Sequence, residues 1–140
     1  MASLMELRTA VKTALQAQIP GLICYDTVPD VAQCPAVVVM PVDADFAVSL
    51  QRGTDTWNFD LFVLVPRTDS GLSQDRLDNY LSGSGPSSVR QAIYENRSLG
   101  LPDTESLIKS MRGYGGEFAT ARIPHVGAVL RLVVHTSGTA

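Results

Sequence analysis

The sequence predicts an α+β domain, in which an N-terminal helix and a central helix pair pack on a mostly antiparallel sheet of about four to five strands. Two observations lead to this fold class. The predicted elements follow in the order helix, three strands, two helices and two strands. Residues 57–65 and 126–135 place apolar side chains at alternate positions, which is the period of a strand. A doubly wound parallel sheet would need a helix after each strand, and three of these strands come without one.

The first predicted helix begins after Ser3. Ser3 and Glu6 have the spacing of a capping box, in which each side chain satisfies a backbone amide near the helix start. Pro20 and Gly21 end the helix. Apolar residues recur at helical spacing on one face, which we expect to be buried: Leu4, Leu7, Val11 and Leu15.

The next segments predict strands. Residues 22–25 are a short candidate, and residues 35–41 are a β-branched run that a proline closes at each end and that we expect to be buried on both faces. Residues 42–56 mix polar and apolar side chains, which predicts a strand arm or the tip of a hairpin. Residues 57–65 are the clearest strand, half-exposed at its start and covered at its end. Its core face is predicted to carry Trp57, Phe59, Leu61 and Val63.

Two helices are predicted in the middle of the chain. Residues 72–81 form a short amphipathic pattern that Gly83 closes at its C-terminal end. Pro86 is predicted at the first position of a further helix that runs to about Asn96.

The last two predicted strands are residues 107–112 and 126–135, which we expect to pair antiparallel. A glycine-rich stretch lies between them and predicts a flexible hairpin connection: Gly113, Tyr114, Gly115 and Gly116.

Length and composition limit the class of protein. The 140 residues predict a single domain, and hydrophobic residues at 45% with a net charge of −3 are typical of a globular protein rather than a disordered or polyanion-binding one. No apolar stretch approaches the roughly 20 residues that span a bilayer, so we expect neither a membrane segment nor a signal peptide. Cys24 and Cys34 leave one disulfide open, but two thiols favour a reducing cytoplasm.

No catalytic or metal site is predicted. His125 and His135 are the only histidines that could serve as a base, and we interpret both as surface residues. Cys24 and Cys34 lack the paired short spacing of a zinc site. Basic residues are scattered among acids, which disfavours a DNA-binding regulator. We therefore expect neither a cofactor nor an enzyme, and a small enzyme of acyl or phosphoryl chemistry is the weaker alternative.

Two segments are better suited to an assembly. The mixed-polarity arm at 42–56 and the glycine-rich stretch at 113–116 are elements that neighbouring subunits can complete by edge pairing or arm exchange. The alternative is that both are solvent loops of a monomer.

Five sequence motifs are spread over most of the chain, and they are structural rather than catalytic. They are VPD at 28–30, CPAVVV at 34–39, RGTDTWNF at 52–59, QDRLDNYLSGSG at 74–85 and SVRQAI at 88–93. Together these motifs resemble the tail terminator (tail completion) proteins of long-tailed, siphovirus-type bacteriophages of actinobacteria.

The resemblance implies a virion protein that is made in the host cytoplasm. Its expected role is a homohexameric ring at the head-proximal end of the tail tube, which ends tube polymerisation and joins the tail to the head connector. Its expected partners are other copies of itself, the tail tube protein, the connector and the passing genomic DNA, which it would not read by sequence. A head-completion or connector neck protein, or a minor tail protein, is the alternative.

The resemblance also suggests which residues make contacts. We expect the arm to contact a neighbouring subunit or the tail tube, and the glycine-rich stretch to be a second contact loop at Gly113, Tyr114, Gly115 and Gly116. The arm residues concerned are Asp43, Asp45, Phe46, Gln51, Arg52 and Asp55.

Overall fold

The computed structural model describes residues 4–19, 22–25, 35–45, 54–66, 70–101, 104–116 and 125–137. Phe46, Gln51 and Arg52, and with them the middle of the predicted arm, lie outside these residues. The described elements are α1 (Leu4–Gln18), β1 (Ile23–Tyr25), β2 (Ala36–Asp45), β3 (Thr54–Pro66), α2 (Ser70–Leu81), α3 (Val89–Glu95), β4 (Thr104–Gly116) and β5 (His125–Ser137). Their order is the predicted one.

The five strands form one sheet in the order β1-β2-β3-β5-β4. β1 pairs parallel to β2, and the other neighbours pair antiparallel. The predicted α+β class, with helices on a mostly antiparallel sheet, is confirmed. β1 pairs only with Ala36, Val37 and Val38, so it covers only the first part of β2.

The main core lies between the three helices and one face of the sheet. Phe59, Leu61 and Val63 of β3 are fully buried there, as predicted, and Trp57 is half-buried against the same core. The predicted face of α1 is confirmed, since its Leu7, Val11 and Leu15 are buried in this core.

β2 does not end at Pro41. The prediction that residues 35–41 are buried on both faces is confirmed for 36–39, because Val37 and Val39 join the main core while Val38 packs with Leu64 on the opposite face. The ends of the run, Pro35, Met40 and Pro41, are only half-buried. The strand continues to Asp45, and its register with β3 shifts between Pro41 and Asp43. A bulge at a proline accommodates the missing N–H donor, so the proline interrupts the ladder without ending it.

α3 begins three residues after the predicted start. Pro86 lies in a turn, and Val89 is the first helical residue because Ser88 caps the helix: its Oγ accepts from the Gln91 N–H at 3.0 Å. A serine that satisfies an orphan amide defines a helix start more strongly than a nearby proline does. The predicted end near Asn96 is confirmed, since Asn96 is the C-terminal cap.

The prediction of a flexible connection at 113–116 is wrong. β4 extends through Gly116, which pairs with Gly127 of β5, and the register shifts between Arg112 and Gly116. Gly113 has φ of +67°, a left-handed conformation that glycine adopts easily and that is typical of a bulge. The glycines therefore bend a strand instead of ending it.

Candidate interaction surface

The sheet face away from the helices, here called the outer face, carries polar side chains at the end where β2 terminates. Asp45, Thr56, His135 and Glu105 lie directly opposite one another on β2, β3, β5 and β4. Thr56 Oγ1 and His135 Nδ1 form a hydrogen bond of 2.9 Å. His135 is exposed, as predicted from its position in the strand pattern.

The next row completes a groove across the outer face. Asp43, Asn58, Val133 and Leu107 are opposite one another, and the Asn58 amide donates to the Asp43 carboxylate. The groove has a volume of about 820 Å³. Asp45 lines it at the β2 side, and at the β4 side it is lined by Tyr94, Arg97 and Lys109.

An ion-pair cluster lies in the middle of the same face. Arg112 donates to both carboxylate oxygens of Asp60, at 3.2 and 2.6 Å, and Arg131 Nε lies 3.2 Å from Oδ1. The Asp60 side chain is only 8% exposed, against 55% for Arg112 and 27% for Arg131. The hydrogen bond to Asp60, and then the negative charge of Asp60, raise the pKa of Arg112 above its ordinary value. The cluster joins β3, β5 and β4 by charge-assisted hydrogen bonds.

This ion-pair cluster has no signature in the sequence that predicts it. Asp60 stands in the strand pattern as a polar residue on the less buried face, and the two arginines stand among the scattered basic residues. Asp60 and Arg131 are direct partners only because of the pairing register of β3 with β5, which links residues 71 positions apart. The one local sign of the cluster in the sequence is that Asp60 lies between apolar residues that are predicted to be buried.

The structure separates the three described acids of the predicted arm. Asp43 and Asp45 are exposed on the outer face. Asp55 lies opposite Thr136, one residue out of phase with Thr56, and therefore on the face that the helices cover. The first two belong to one surface, and Asp55 belongs to another.

The predicted second contact residues lie at the far end of β4. Tyr114 is 42% exposed, and its hydroxyl donates to the carboxylate of Asp78 on α2. Gly113, Gly115 and Gly116 are strand residues beside it. The structure thus links Tyr114 to a helix and does not bring it together with Asp43 and Asp45.

β4 is an edge strand with exposed apolar side chains. Leu107, Met111 and Tyr114 are 58%, 48% and 42% exposed, and Tyr94 of the neighbouring α3 is 64% exposed. The Arg97 guanidinium lies 5.0 Å above the Tyr94 ring, a cation–π contact. Among the described residues, β5 is the only strand that pairs with β4. Unpaired strand edges and exposed apolar clusters are typical of protein contact surfaces.

Three further features concern the described part of the chain, namely metal ligands, membrane spans and cysteines. No group of three or more His, Cys, Asp or Glu side chains there has the arrangement that holds a metal ion. No helix there is long and apolar enough to cross a membrane. Cys24 is buried in the main core, and Cys34 lies outside the described residues.

Comparison with known proteins adds no assignment. No protein-family model matches the chain, and no curated protein matches it. The chain's own residues and the resemblance of its motifs are therefore the basis for a function.

Proposed function

We propose that this chain is a structural virion protein of a long-tailed bacteriophage, which forms a ring at the head-proximal end of the tail tube. In this role it ends tube polymerisation and joins the tail to the head connector. It is made in the host cytoplasm and incorporated into the virion. The motifs that resemble tail terminator proteins support this role, and the exposed surface of the sheet is suited to contacts between copies.

The observation that carries the proposal is the exposed edge strand β4. Leu107 and Met111 are about half-exposed on this strand, and Tyr94 is exposed beside it, so the β4 edge presents apolar side chains, and among the described residues it pairs only with β5. Covering such surface with a neighbouring copy is favourable because apolar area leaves water. A head-to-tail contact of this kind closes into a ring when the rotation between copies fits.

The charge of the chain suits a channel for DNA. The net charge is −3, and basic residues do not form a stripe. A strongly basic lumen would retain phosphates through counterion release, whereas a weakly acidic ring lets DNA pass.

The test is electron microscopy of a phage lysate whose copy of this gene carries an early stop codon, with a synonymous change at the same codon as the control. We expect abnormally long tail tubes that are not attached to heads. Filled heads beside free tails of normal length would contradict a terminator and indicate a connector protein. Normal particles would contradict a role in the tail or the neck.

A further inference from the structure

The outer half of β2 and the strand β4 form two opposite edges of the sheet, at the same position along the strands. β1 covers β2 only as far as Val38, so among the described residues the outer half of β2 pairs with β3 alone. β4 is the opposite edge. The bulge residue of β2 is Val42 and that of β4 is Lys109, and both bulges adjoin the row that runs through Phe59 of β3.

The two edges carry opposite charge. The outer half of β2 presents Asp43 and Asp45, both exposed, and has no basic residue between Val42 and Asp45. At the other edge, Arg97 and Lys109 are exposed and line the β4 side of the groove. Glu105 is the one acidic residue that lines the β4 side of the groove with them, so two cations stand against one carboxylate in the lining of this edge.

Each edge also presents apolar surface beside its charges. Val42 is 45% exposed next to the two acids of β2. Leu107 and Tyr94 are 58% and 64% exposed next to the cations. A contact between the edges would therefore bury apolar side chains while it pairs charges of opposite sign, which is the usual composition of a specific interface.

The strand directions permit this contact in a ring. β2 and β4 run antiparallel to each other within one sheet, because three antiparallel pairings separate them. A second copy placed beside the first in the same orientation brings its β2 edge antiparallel to β4. Such a contact uses two different surfaces and so repeats around a ring. Bulges, a proline and a lysine at these edges disfavour a continuous backbone ladder and favour contact through side chains.

We propose that the acidic outer half of β2 in one copy, at Asp43 and Asp45, docks against the basic edge formed by Arg97 and Lys109 in the next copy. This inference rests on the proposed ring. It specifies which two surfaces meet in the ring, and it predicts that the contact is kept when the charges of the two surfaces are exchanged.

The test is complementation of the early-stop lysate with variants supplied in trans, scored as the number of particles with tails of normal length joined to heads. Asp45→Lys alone and Lys109→Glu alone place like charges across every interface. A factor of about two per interface, within the range for exposed ion pairs, compounds to about 60-fold in a ring of six. We expect losses of at least ten-fold for each single variant.

The charge exchange gives the decisive result. The variant with both Asp45→Lys and Lys109→Glu should recover to within about three-fold of the wild-type chain. Co-expression of the two single variants should also restore normal particles. In a ring where the two variants alternate, Lys at position 45 of one faces Glu at position 109 of the other, and the unchanged Asp45 of the second faces the unchanged Lys109 of the first. Asp75→Lys on α2 and Lys12→Glu on α1 reverse one charge each outside both edges, and should complement as well as the wild type.

The outcomes separate this inference from the proposed function. If the wild-type chain restores tails and the single reversals do so equally well, the docking surfaces are wrong while the terminator role stands. If both singles fail and neither the double variant nor the mixture recovers, docking between these edges is also contradicted, and another partner such as the tail tube or DNA occupies them. Normal particles in the early-stop lysate contradict the terminator role itself. Circular dichroism of each purified variant checks folding, and Asp45→Asn with Lys109→Gln, which add no new charge, should show smaller losses.

Discussion

Asp60 shows how the role of one residue depends on partners that are distant in sequence. Its buried carboxylate accepts from Arg112 and lies in ion-pair contact with Arg131. Asp60→Asn removes the charge and leaves two guanidinium groups side by side without a neutralising partner. Both arginines are partly exposed and can reach water, so we expect a loss of about 1–3 kcal/mol in the free energy of unfolding. Urea denaturation at neutral pH measures it.

Two further variants test whether the loss comes from this cluster. Asp75→Asn removes a carboxylate from the exposed face of α2 and should change the free energy of unfolding by less than about 0.5 kcal/mol. Arg112→Gln should lower the free energy of unfolding by less than Asp60→Asn does. Asp60 keeps its ion pair with Arg131 in this variant, and the Arg112 side chain, which is 55% exposed, buries little surface. Equal losses for Asp60→Asn and Asp75→Asn would contradict a structural role for the cluster.

Tyr80 makes the stability dependent on alkaline pH. The residue is 8% exposed in the main core, and burial raises the pKa of its phenol above the ordinary 10.0, although the charge of Arg76 acts in the opposite direction. The native state therefore holds this proton more tightly than the unfolded chain does. The contribution is fully present below pH 10 and is lost as the pH rises through the folded-state pKa.

We expect Tyr80→Phe to reduce this dependence. The free energy of unfolding of the wild-type chain should decrease between pH 10 and 11 by up to about 1.4 kcal/mol more than that of the variant. Denaturant unfolding of both proteins at pH 7, 10 and 11 measures the difference, and pH 7 serves as the reference for any change in packing. Parallel curves over this range would show that Tyr80 is not the source.

At the scale of elements, the start of α3 depends on one hydroxyl group. Ser88 Oγ accepts from the Gln91 N–H at 3.0 Å and donates to the Ser82 carbonyl oxygen at 2.5 Å, so it joins the helix to the turn before it. Ser88→Ala should lower the free energy of unfolding by about 0.5–2 kcal/mol. Thermal unfolding followed by circular dichroism tests this, with the exposed Ser98→Ala as the matched control. A variant as stable as Ser98→Ala would mean that another group satisfies the amide.

Element type was predictable wherever the local pattern was long and regular. The alternation at 57–65 and 126–135 predicts β3 and β5, and the capping box predicts the start of α1. Pro41, Pro86 and Gly113 misled the prediction of boundaries for one shared reason: each breaks regular structure in isolation. In the folded chain, strand pairing and a stronger cap decide where the elements end.

The candidate surface was only partly predictable, because it depends on the order of the strands. The sequence pattern predicts contact residues at Asp43 and Asp45, which lie on the outer face, but groups them with Asp55, which the alternation of β3 places on the other face. It did not select Leu107 or Lys109. Their significance comes from the edge position of β4, and no local pattern specifies which strand lies at an edge.

At the scale of the whole molecule, the buried core and the proposed assembly surface occupy different parts of the sheet. Phe59, Leu61 and Leu132 belong to the buried half that the helices cover, whereas Val42 and Asp45 lie near the exposed end of the β2–β3 pair. A change at the exposed end should therefore alter assembly without unfolding the core. Residues 45–51 are the part of the predicted arm where this separation can be tested.

Deletion of residues 45–51 should leave a folded protein that no longer joins tails to heads. The deletion leaves Ala44 and Trp57, which pair in the intact sheet, joined by the five residues 52–56, a length that hairpins accommodate. No residue of the main core is removed. The deletion removes Asp45 and its pairing with Thr56, and the new connection uses residues 54–56, which pair with β5 in the intact sheet. We therefore expect a loss of about 1–3 kcal/mol in the free energy of unfolding, without loss of the fold. A variant that replaces 46–51 with glycine and serine at the same length separates the effect of side chains from that of length.

Urea denaturation measures folding, and complementation of the early-stop lysate measures assembly. A deletion variant that folds and still yields normal tails would remove the arm from the contact surface, and one that fails to fold would show that the exposed end of the sheet also supports the core.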